Sequence, residues 1–378
     1  MNAKQAKYPQ LRFKGFTDPW EQRKVSELAD RYDNLRVPIT ASERVAGETP
    51  YYGANGIQDY VEGFTHNGEF VLVAEDGAND LQNYPVQYVD GKVWVNNHAH
   101  VLQAKEERVD NKFLTNALKH TNIEPYLVGG GRAKLNADVM MKINFKVPTL
   151  PEQVQIGKFF DNLDHLITLH QRKLAKLKEL KQGYLQKLFP KNGSKFPQLR
   201  FAGFADAWEQ RKVSELADRY DNLRVPITAS ERVAGETPYY GANGIQDYVE
   251  GFTHNGEFVL VAEDGANDLQ NYPVQYVDGK VWVNNHAHVL QAKEERVDNK
   301  FLTNALKHTN IEPYLVGGGR AKLNADVMMK INFKVPTLPE QVQIGKFFDN
   351  LDHLITLHQR KLEKLQELKK GYLQKMFC

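Results

Sequence analysis

Two histidines placed two residues apart have the clearest capacity for chemistry in this chain. His98 and His100 lie in the stretch KVWVNNHAHVL (residues 92–102), in which polar and apolar residues alternate. Alternation with period two predicts a β-strand, and it would place Trp94, Asn96 and both histidines on one face. That polar face could contact a ligand, or it could be a hydrogen-bonded face of the sheet.

The spacing of the histidines also suits a pair of metal ligands. Glu75 or Asp76 could supply a third ligand. Such a site would suit a duplicated metal-dependent, DNA-acting enzyme built on His98 and His100 and on their later counterparts His286 and His288. No cysteine lies near them, since the only cysteine is Cys378. Structural histidines are the simpler interpretation, and we predict neither a metal nor a cofactor.

Polar loops that contain glycine could hold a nucleic acid. Basic side chains and backbone amides bind phosphates, whereas Arg, Lys, Asn and Gln side chains read base edges in the major groove. Such groups occur in the loops at 51–56, 79–83 and 129–136. The candidate DNA-binding residues are Tyr52, Asn55, Asn79, Gln82, Asn96, His98, Arg132 and Lys134, with Tyr240, Asn243, Asn267, Gln270, Asn284, His286, Arg320 and Lys322 in the second half. Alternatively, the tyrosines belong to the core or to turns, and the glycines only form a loop.

The candidate residues occur twice because the chain repeats itself. Residues 20–174 recur unchanged as residues 208–362, an offset of 188. A looser match extends the repeat over nearly the whole chain of 378 residues. A unit of this length is a domain with a connector, and each copy is long enough to bury its own core.

Within one copy, local patterns predict the elements that must position these residues. Asp18-Pro19-Trp20 resembles a helix start, with Asp18 as the cap. A mainly β-like region follows from about 36 to 147, and FVLVA (70–74) within it reads as a buried strand. The segment 110–119 is predicted to be a helix that interrupts the strands.

A long helix closes each copy, over 152–188 and again over 340–376. A four-three spacing of mostly apolar residues predicts a coiled-coil seam, which contains Ile156, Phe160, Leu163, Ile167, His170, Leu174, Leu177, Lys181, Tyr184 and Leu188. Phe159, Leu166, Leu169 and Leu180 widen the stripe, as expected for a helix that also contacts a globular domain. Two equal helices joined through a domain pair most simply as an antiparallel coiled coil. The alternative is that each helix packs only on its own domain.

Composition excludes several classes of protein. The chain is 41% hydrophobic and 25% charged with a formal net charge of +2, as in an ordinary globular protein. No apolar run of about 20 residues indicates a membrane span, and without an apolar leader we expect a cytoplasmic protein. The sequence contains neither a GxxxxGK[ST] loop nor an Asn/Asp-Pro-Pro-aromatic motif, so we expect no ATP hydrolysis or methyl transfer by this chain.

The order of three motifs resembles the specificity subunits of type I restriction-modification systems. These are PQLRFKGF…WEQRKVSELAD, then TPYYGANGIQDYV, then VPTLPEQVQIGKFFDNLDHLITLHQRK with its lysine-rich continuation, and all three recur in the second half. The resemblance implies an α+β fold with two mixed α/β target recognition domains, separated by an antiparallel coiled coil of two long helices with pseudo-twofold symmetry. The implied domains are 1–148 and 191–336, and the implied spacer helices are 149–190 and 337–378.

The resemblance also implies a function. Such a subunit is non-catalytic, reads a split target in double-stranded DNA, and recruits two adenine-N6 methyltransferase subunits and restriction-translocase subunits. Family members typically carry two different recognition domains, whereas the two domains here are identical. We therefore expect an interrupted palindrome as target. A coiled-coil protein that only mediates assembly is a further alternative, and it predicts no salt-dependent DNA binding.

Overall fold

The computed structural model describes residues 8–130, 133–191, 193–318 and 321–377. The chain folds as two compact units. The first unit contains residues 1–171 together with 360–378, and the second contains residues 172–359. Each unit therefore combines one copy of the mixed α/β region with the first half of one long helix and the last part of the other.

The elements of the first copy run in this order: β1 Glu21–Lys24, α1 Val25–Leu28, β2 Ala29–Arg31, β3 Ala46–Gly53, β4 Gly56–Val61, β5 His66–Asn67, β6 Phe70–Ala74, β7 Val86–Val89, β8 Lys92–Val95, β9 Ala99–Ala104, α2 Asn111–His120, β10 Leu127–Val128, β11 Lys134–Leu135, α3 Ala137–Met140, β12 Asn144–Val147 and α4 Leu150–Leu188. Short 3-10 turns lie at Asp33–Leu35, Ala41–Glu43 and Glu124–Tyr126.

The second copy repeats this order: β13 Glu209–Lys212, α5 Val213–Leu216, β14 Ala217–Arg219, β15 Ala234–Gly241, β16 Gly244–Val249, β17 His254–Asn255, β18 Phe258–Ala262, β19 Val274–Val277, β20 Lys280–Val283, β21 Ala287–Ala292, α6 Asn299–His308, β22 Leu315–Val316, β23 Lys322–Leu323, α7 Ala325–Met328, β24 Asn332–Val335 and α8 Leu338–Met376. The 3-10 turns recur at Asp221–Leu223, Ala229–Glu231 and Glu312–Tyr314.

Two four-stranded sheets form most of the first copy, in the orders β2-β9-β6-β7 and β4-β3-β8-β5. Strand β6 is apolar throughout because both of its faces are covered. Val71 and Val73 belong to the main core, whereas Phe70 and Leu72 belong to a smaller core between the sheets. The prediction of a buried strand at 70–74 is confirmed.

The predicted helix start at Asp18 is wrong. Trp20 is instead buried, and the next residues form β1, which pairs antiparallel with β12. A local Asp-Pro cap signal does not report this pairing, because the partner strand lies more than 100 residues later in the sequence. Helix α2 does begin as predicted, since the Asp110 carboxylate accepts a hydrogen bond from the Phe113 N–H at 2.8 Å.

The alternating stretch at 92–102 is not one strand. Strand β8 pairs with β3 and β5, whereas β9 belongs to the other sheet and pairs with β2 and β6. A turn at 96–98 separates them. The predicted common face of Trp94, Asn96, His98 and His100 therefore does not exist. The polar residues of the turn extended the alternating pattern in the sequence, although the extended backbone stops there.

The two long helices pair antiparallel within each unit. In the first unit the rings of Phe159 and Tyr372 are 5.0 Å apart, and Lys369 Nζ lies 2.5 Å from Asp164 Oδ1. A later residue of α4 thus contacts an earlier residue of α8, as an antiparallel pair requires. In the second unit Lys181 Nζ contacts Asp352 Oδ1 at 2.5 Å in the corresponding way. The interruption of the seam at Lys181 is explained by this ion pair.

The heptad prediction is confirmed, because every predicted seam residue of α4 is buried or half-buried. The widened stripe is only partly correct. Phe159 packs on the main core, but Leu166, Leu169 and Leu180 are exposed. These three leucines recur with the period of the helix, which is why burial was expected, but no described element of the chain packs on them.

The PEQ motif anchors the start of α4. The Glu152 side chain is fully buried and accepts two hydrogen bonds from the Arg12 guanidinium, both 2.7 Å long. Gln153 accepts a hydrogen bond from the Asp110 N–H and donates to the Pro148 carbonyl. At Gly157 an added Cβ would lie 2.4 Å from the Asp110 carboxylate, so only glycine lets α4 approach the start of α2 this closely.

Candidate nucleic-acid interface

The loop that follows β6 joins the polar residues predicted from sequence. The backbone N–H of Glu75 donates to the His98 carbonyl at 2.8 Å, and the Glu75 carbonyl accepts from the Leu135 N–H at 2.7 Å. The turn at 96–98 and the strand that contains Lys134 are thereby held on either side of one backbone segment. Candidate residues distant in sequence consequently lie in a single cluster of loops.

Asn55 fixes the shape of this loop. Its amide Nδ2 donates to the Gly77 carbonyl at 2.9 Å, and its Oδ1 accepts from the Asn79 N–H at 2.9 Å. Both polar groups of Asn55 are thus engaged by the protein backbone. A contact of Asn55 with DNA stays a prediction. Its two hydrogen bonds to the backbone show that the Asn55 side chain positions the loop.

Asp80 shapes the tip of the loop. One carboxylate oxygen accepts from the backbone N–H groups of Gln82 and Asn83 at 3.0 and 2.9 Å, which is an Asx turn. The side chains of Asn79 and Gln82 are exposed, and no hydrogen bond involves them within the described part of the chain. The loop therefore presents two free amides on a backbone held by other residues.

Asn96 is buried rather than surface-facing. It is only 4% exposed, its Oδ1 accepts from the His98 N–H at 2.8 Å, and its Nδ2 faces Gln58. The same holds for Asn284 in the second copy, which is also 4% exposed. Of the two alternatives for this polar stretch, the hydrogen-bonded one describes both asparagines, which close the turn between two sheets. A DNA contact at Asn96 or Asn284 stays a prediction.

His98 lies at the rim of the cluster. Its Nδ1 is 2.5 Å from Asp76 Oδ1, and about a third of the side chain is exposed. Tyr52 is half-buried against the smaller core, and burial raises the pKa of its hydroxyl. Of the two, only His98 presents much of its side chain to solvent.

Lys134 is the described basic residue of the glycine loop. Its Nζ lies 2.9 Å from Glu75 Oε1, and almost half of the side chain is exposed. This ion pair raises the pKa of Lys134. The predicted contacts at Arg132 and Arg320 lie outside the described residues.

An ion-pair network beneath the loop was not predicted. The Arg36 guanidinium donates to Glu75 at 2.6 Å and to the Ala99 carbonyl at 2.9 Å. His100 is 1% exposed, and its Nδ1 lies 2.7 Å from Asp33 Oδ2. Nothing in the sequence marks Asp33 or Arg36, because they lie tens of residues before their partners.

The network changes the acidity of its carboxyls. Burial acts to raise the pKa of Asp33, but hydrogen bonds from His100 and the Val101 N–H and the charge of Arg36 outweigh it and lower the pKa. Burial acts similarly on Glu75, and the hydrogen bonds from Arg36 and Lys134 lower its pKa. Both carboxylates therefore stay ionised within a half-buried region.

The proposed pair of metal ligands does not form. His98 contacts Asp76, whereas His100 contacts Asp33 and the Leu135 carbonyl. Asp33, Glu75 and His100 do lie within 4.8 Å of one another, as ligands of a metal could. However, cationic side chains already occupy both Glu75 oxygens, and His100 Nε2 is directed at a carbonyl. The ligand atoms of Asp33, Glu75 and His100 are therefore engaged in an ion-pair network within the protein.

The second unit builds the same cluster. Asn243 Nδ2 donates to the Gly265 carbonyl at 2.9 Å, and Lys322 Nζ lies 2.9 Å from Glu263. His286 Nδ1 lies 2.6 Å from Asp264. Tyr240 is half-buried, and Asn267 and Gln270 are exposed, like their counterparts.

Among the described residues, no helix has the length and apolarity needed to cross a membrane.

Comparison with known families identifies these repeated units. The sequence profile of the type I restriction modification DNA specificity domain matches the chain twice, over residues 17–179 and 205–367. The chain belongs to this family. Both matches include the loop cluster and most of one long helix.

Curated relatives of the DNA specificity family span nearly the whole chain. A Haemophilus influenzae protein that carries the name of a type I restriction enzyme specificity subunit is 32% identical over 368 residues, which is 88% of each chain. The MjaVIII type I specificity subunit of Methanocaldococcus jannaschii is 20% identical over 390 residues, covering 93% of this chain and 91% of its own. These family members are specificity subunits, so the chain belongs with the non-catalytic DNA-specificity component of such systems.

A solved structure supports the fold of the family. The type I restriction-modification S subunit of Mycoplasma genitalium superposes with a TM-score of 0.79 at 16% identity, covering 98% of this chain and 99% of the other. At this identity the similarity concerns the fold. It agrees with an α+β architecture that contains two mixed domains and two long helices.

Proposed function

We propose that this chain reads a split DNA target, with one loop cluster contacting each half-site. The observation that carries this proposal is the loop after β6 and its counterpart after β18. Each presents two exposed amides on a backbone held by Asn55, Asp80 and the Glu75 network. A rigid backbone with free polar side chains suits base reading, because little conformational entropy is lost on binding.

The exposed amides and the basic residues have different roles in this proposal. Asn79 and Gln82 read base edges in the major groove, where an amide can bind adenine through two hydrogen bonds. Lys134 and Arg132 contact phosphates and set the register of the domain on the duplex. His98 is proposed to border the reading surface, because about a third of its side chain is exposed.

The target is proposed to be an interrupted palindrome. Residues 20–174 and 208–362 are identical, so both domains present the same reading residues. Two identical readers related by a pseudo-twofold axis would select the same half-site on opposite strands. The long helices would then set the length of the unread spacer between the half-sites.

The partners follow from family membership. We propose that the chain recruits two adenine-N6 methyltransferase subunits and restriction-translocase subunits in the cytoplasm. Methyl transfer would then belong to the partner, because the chain lacks the methyltransferase motif. The proposed domain boundaries remain residues 1–148, 149–190, 191–336 and 337–378.

The decisive experiment maps methylated adenines in a genome that expresses this chain with its methyltransferase partner. We expect one interrupted palindromic motif. Replacing Asn79 and Gln82 with alanine, together with Asn267 and Gln270, should abolish methylation of that motif without altering the circular dichroism spectrum. An asymmetric motif would contradict the palindrome.

A matched control uses exposed amides away from the loop cluster. Asn162 and Asn350 lie exposed on the long helices, and their replacement with alanine should leave the motif methylated. DNA binding measured between 50 and 200 mM salt separates recognition from mere assembly. A protein that contacts phosphates loses affinity steeply with salt, whereas an assembly protein shows no such slope.

A further inference from the structure

An apolar side chain lies in the tip of the loop that follows β6, where the tip is residues 79–83. Leu81 is 38% exposed, and Leu269 is 38% exposed at the same place in the second unit. Among the residues that the structure describes, neither hydrophobic core of the first unit includes Leu81. Single exposed leucines are common on protein surfaces. The other residues of this tip are all polar and exposed, however, so Leu81 is an apolar group within a polar surface.

Hydrogen bonds around Leu81 hold its backbone in place. Asp80 Oδ1 accepts from the N–H groups of Gln82 and Asn83, and the turn closed by these bonds contains Leu81. The Asn83 amide also donates to Asp80 Oδ2 at 2.9 Å, which closes the turn a second time. The backbone conformation at Leu81 is therefore set within the loop itself, before any ligand binds.

The base of the loop is closed as well. The Tyr84 hydroxyl donates to the Ala74 carbonyl at 3.0 Å, so the residue after the tip is joined to the last residue of β6. Tyr84 is buried in the main core of the unit. Beside the tip, Asn55 accepts the hydrogen bond from the Asn79 N–H. Leu81 is thus exposed on a loop that is anchored at its base and next to its tip.

The turn itself does not require a leucine. Central positions of turns accept most residue types, and polar residues are common there. An aliphatic side chain in water also carries an unfavourable hydration free energy that a polar side chain avoids. A ligand with an apolar group that covers Leu81 would remove this unfavourable term, and binding would gain from it.

The major groove of DNA offers one such apolar group. Thymine presents its C5-methyl group there, and the adenine of the same pair presents N7 and the N6 amino group. An amide side chain binds the adenine edge, and an aliphatic side chain packs on the methyl group. Gln82 follows Leu81 at a Cα separation of about 3.8 Å, close to the rise of about 3.4 Å per base pair. Adjacent residues of the tip can therefore contact one A·T pair or two successive pairs.

We propose that Leu81 and Leu269 each contact the C5-methyl group of a thymine, and that they thereby specify an A·T pair in each half-site. This inference rests on the proposed function, in which the loop after β6 reads the major groove. Leu81 also disfavours cytosine at that position, because the N4 amino group of cytosine would lose water against an apolar side chain without gaining a hydrogen bond.

The test replaces thymine with uracil, which lacks the methyl group and keeps every hydrogen-bonding group. Duplexes carry the motif found by methylation mapping, and each thymine position is replaced in both half-sites at once. The full chain is assayed together with its methyltransferase partner. We expect at least one position at which uracil lowers affinity by about fourfold per half-site, which is the factor that corresponds to burial of one methyl group.

Leucine variants show whether Leu81 senses the methyl group. Leu81→Ala with Leu269→Ala should weaken binding to the thymine duplex and should respond to uracil at that position much less than the parent does. The matched control is Val45→Ala with Val233→Ala, at exposed valines that precede β3 and β15. An eight-residue strand, about 26 Å long at 3.3 Å per residue, separates Val45 from the turn at Asn55. The control should keep the uracil response of the parent, and both variants should keep its thermal midpoint.

Two results would overturn the thymine contact. One is a parent that binds every uracil duplex as tightly as the thymine duplex. The other is an alanine variant of Leu81 and Leu269 that loses the same factor as the parent at every position. Failure of the proposed function gives a different result, because replacing Asn79 and Gln82 would then leave target binding intact. Loss of target binding in that amide variant, combined with no effect of uracil on the parent, removes the leucine contact alone.

Discussion

Phe377 stacks on Phe113 with their ring centroids 5.5 Å apart, so the end of the second long helix completes the core of the first unit. The Phe377 ring also meets Trp20 edge-on at 6.1 Å. In the second unit the end of the first long helix has this role, and Phe189 stacks on Phe301 at 5.6 Å. Each domain core is therefore closed by the helix that belongs to the other copy.

Because the helix end of each copy closes the core of the other, Phe377 should stabilise the first unit and Phe189 the second. Phe377→Ala should destabilise the first unit by about 3 kcal/mol, because it opens a cavity beside Trp20 and Phe113. Phe189→Ala should destabilise the second unit by the same amount. Hydrogen exchange resolved by peptide is the measurement. The prediction would be contradicted if Phe377→Ala reduced protection in the second unit and Phe189→Ala reduced protection in the first.

The identity of the repeats predicts that half of the chain forms a homodimer. A fragment of residues 1–190 lacks Phe377 but contains Phe189, whose surroundings in the second unit match those of Phe377. Two fragments can therefore fill each other's cores. Light scattering should give the mass of a dimer, and Phe189→Ala should shift it toward the monomer. A stable monomeric fragment with native circular dichroism would disprove this prediction.

The buried pair of Arg12 and Glu152 predicts a large effect of a single replacement. Arg12→Ala should cost about 3 kcal/mol in the free energy of unfolding, because it leaves a fully buried carboxylate without its partner. Replacing both residues with methionine should be less costly than Arg12→Ala alone. Denaturant unfolding is the measurement. The exposed pair of Arg23 and Glu21 is the control, and Arg23→Ala should change stability by about 0.5 kcal/mol or less.

The hydrogen bonds of Asn55 predict a loss of selectivity without loss of fold. Asn55→Ala with Asn243→Ala removes the contacts to Gly77 and to the Asn79 N–H and to their counterparts, so the loop should gain motion. Affinity for the methylated motif should fall about tenfold or more, since ordering the loop then costs free energy on binding. Affinity for non-specific duplex should stay nearly constant. An equal loss of both affinities would indicate a phosphate contact at Asn55.

The lowered pKa values of Asp33 and Glu75 predict acid sensitivity. Their pKa values are lower in the folded chain than in the unfolded chain, so their contribution to stability is present above about pH 4 and is lost as the pH falls through the folded values. Asp33→Asn with Asp221→Asn should reduce stability at pH 7 by about 1–2 kcal/mol and flatten its fall below pH 4. Thermal midpoints between pH 3 and 7 are the measurement. Asp138→Asn, at an exposed residue, should leave the pH profile unchanged.

Local sequence determined several elements correctly. The heptad spacing located the seam of α4, and the Asp110 cap located the start of α2. The apolar run at 70–74 identified β6. These features depend on contacts between residues close in sequence, or on a buried face that appears in the sequence as a regular pattern of apolar residues. The duplication, visible in the letters alone, also established that every site occurs twice.

Tertiary structure decided the site and the exchange of helix ends. Asn96 proved to be buried, and His98 and His100 contact different partners, because a turn divides the alternating stretch between two sheets. Arg36, Glu75 and Asp33 meet only after strands far apart in sequence pair. Phe377 reaches the first core in the same way. Such contacts depend on which distant surfaces pack together, and residue spacing along the chain does not contain that information.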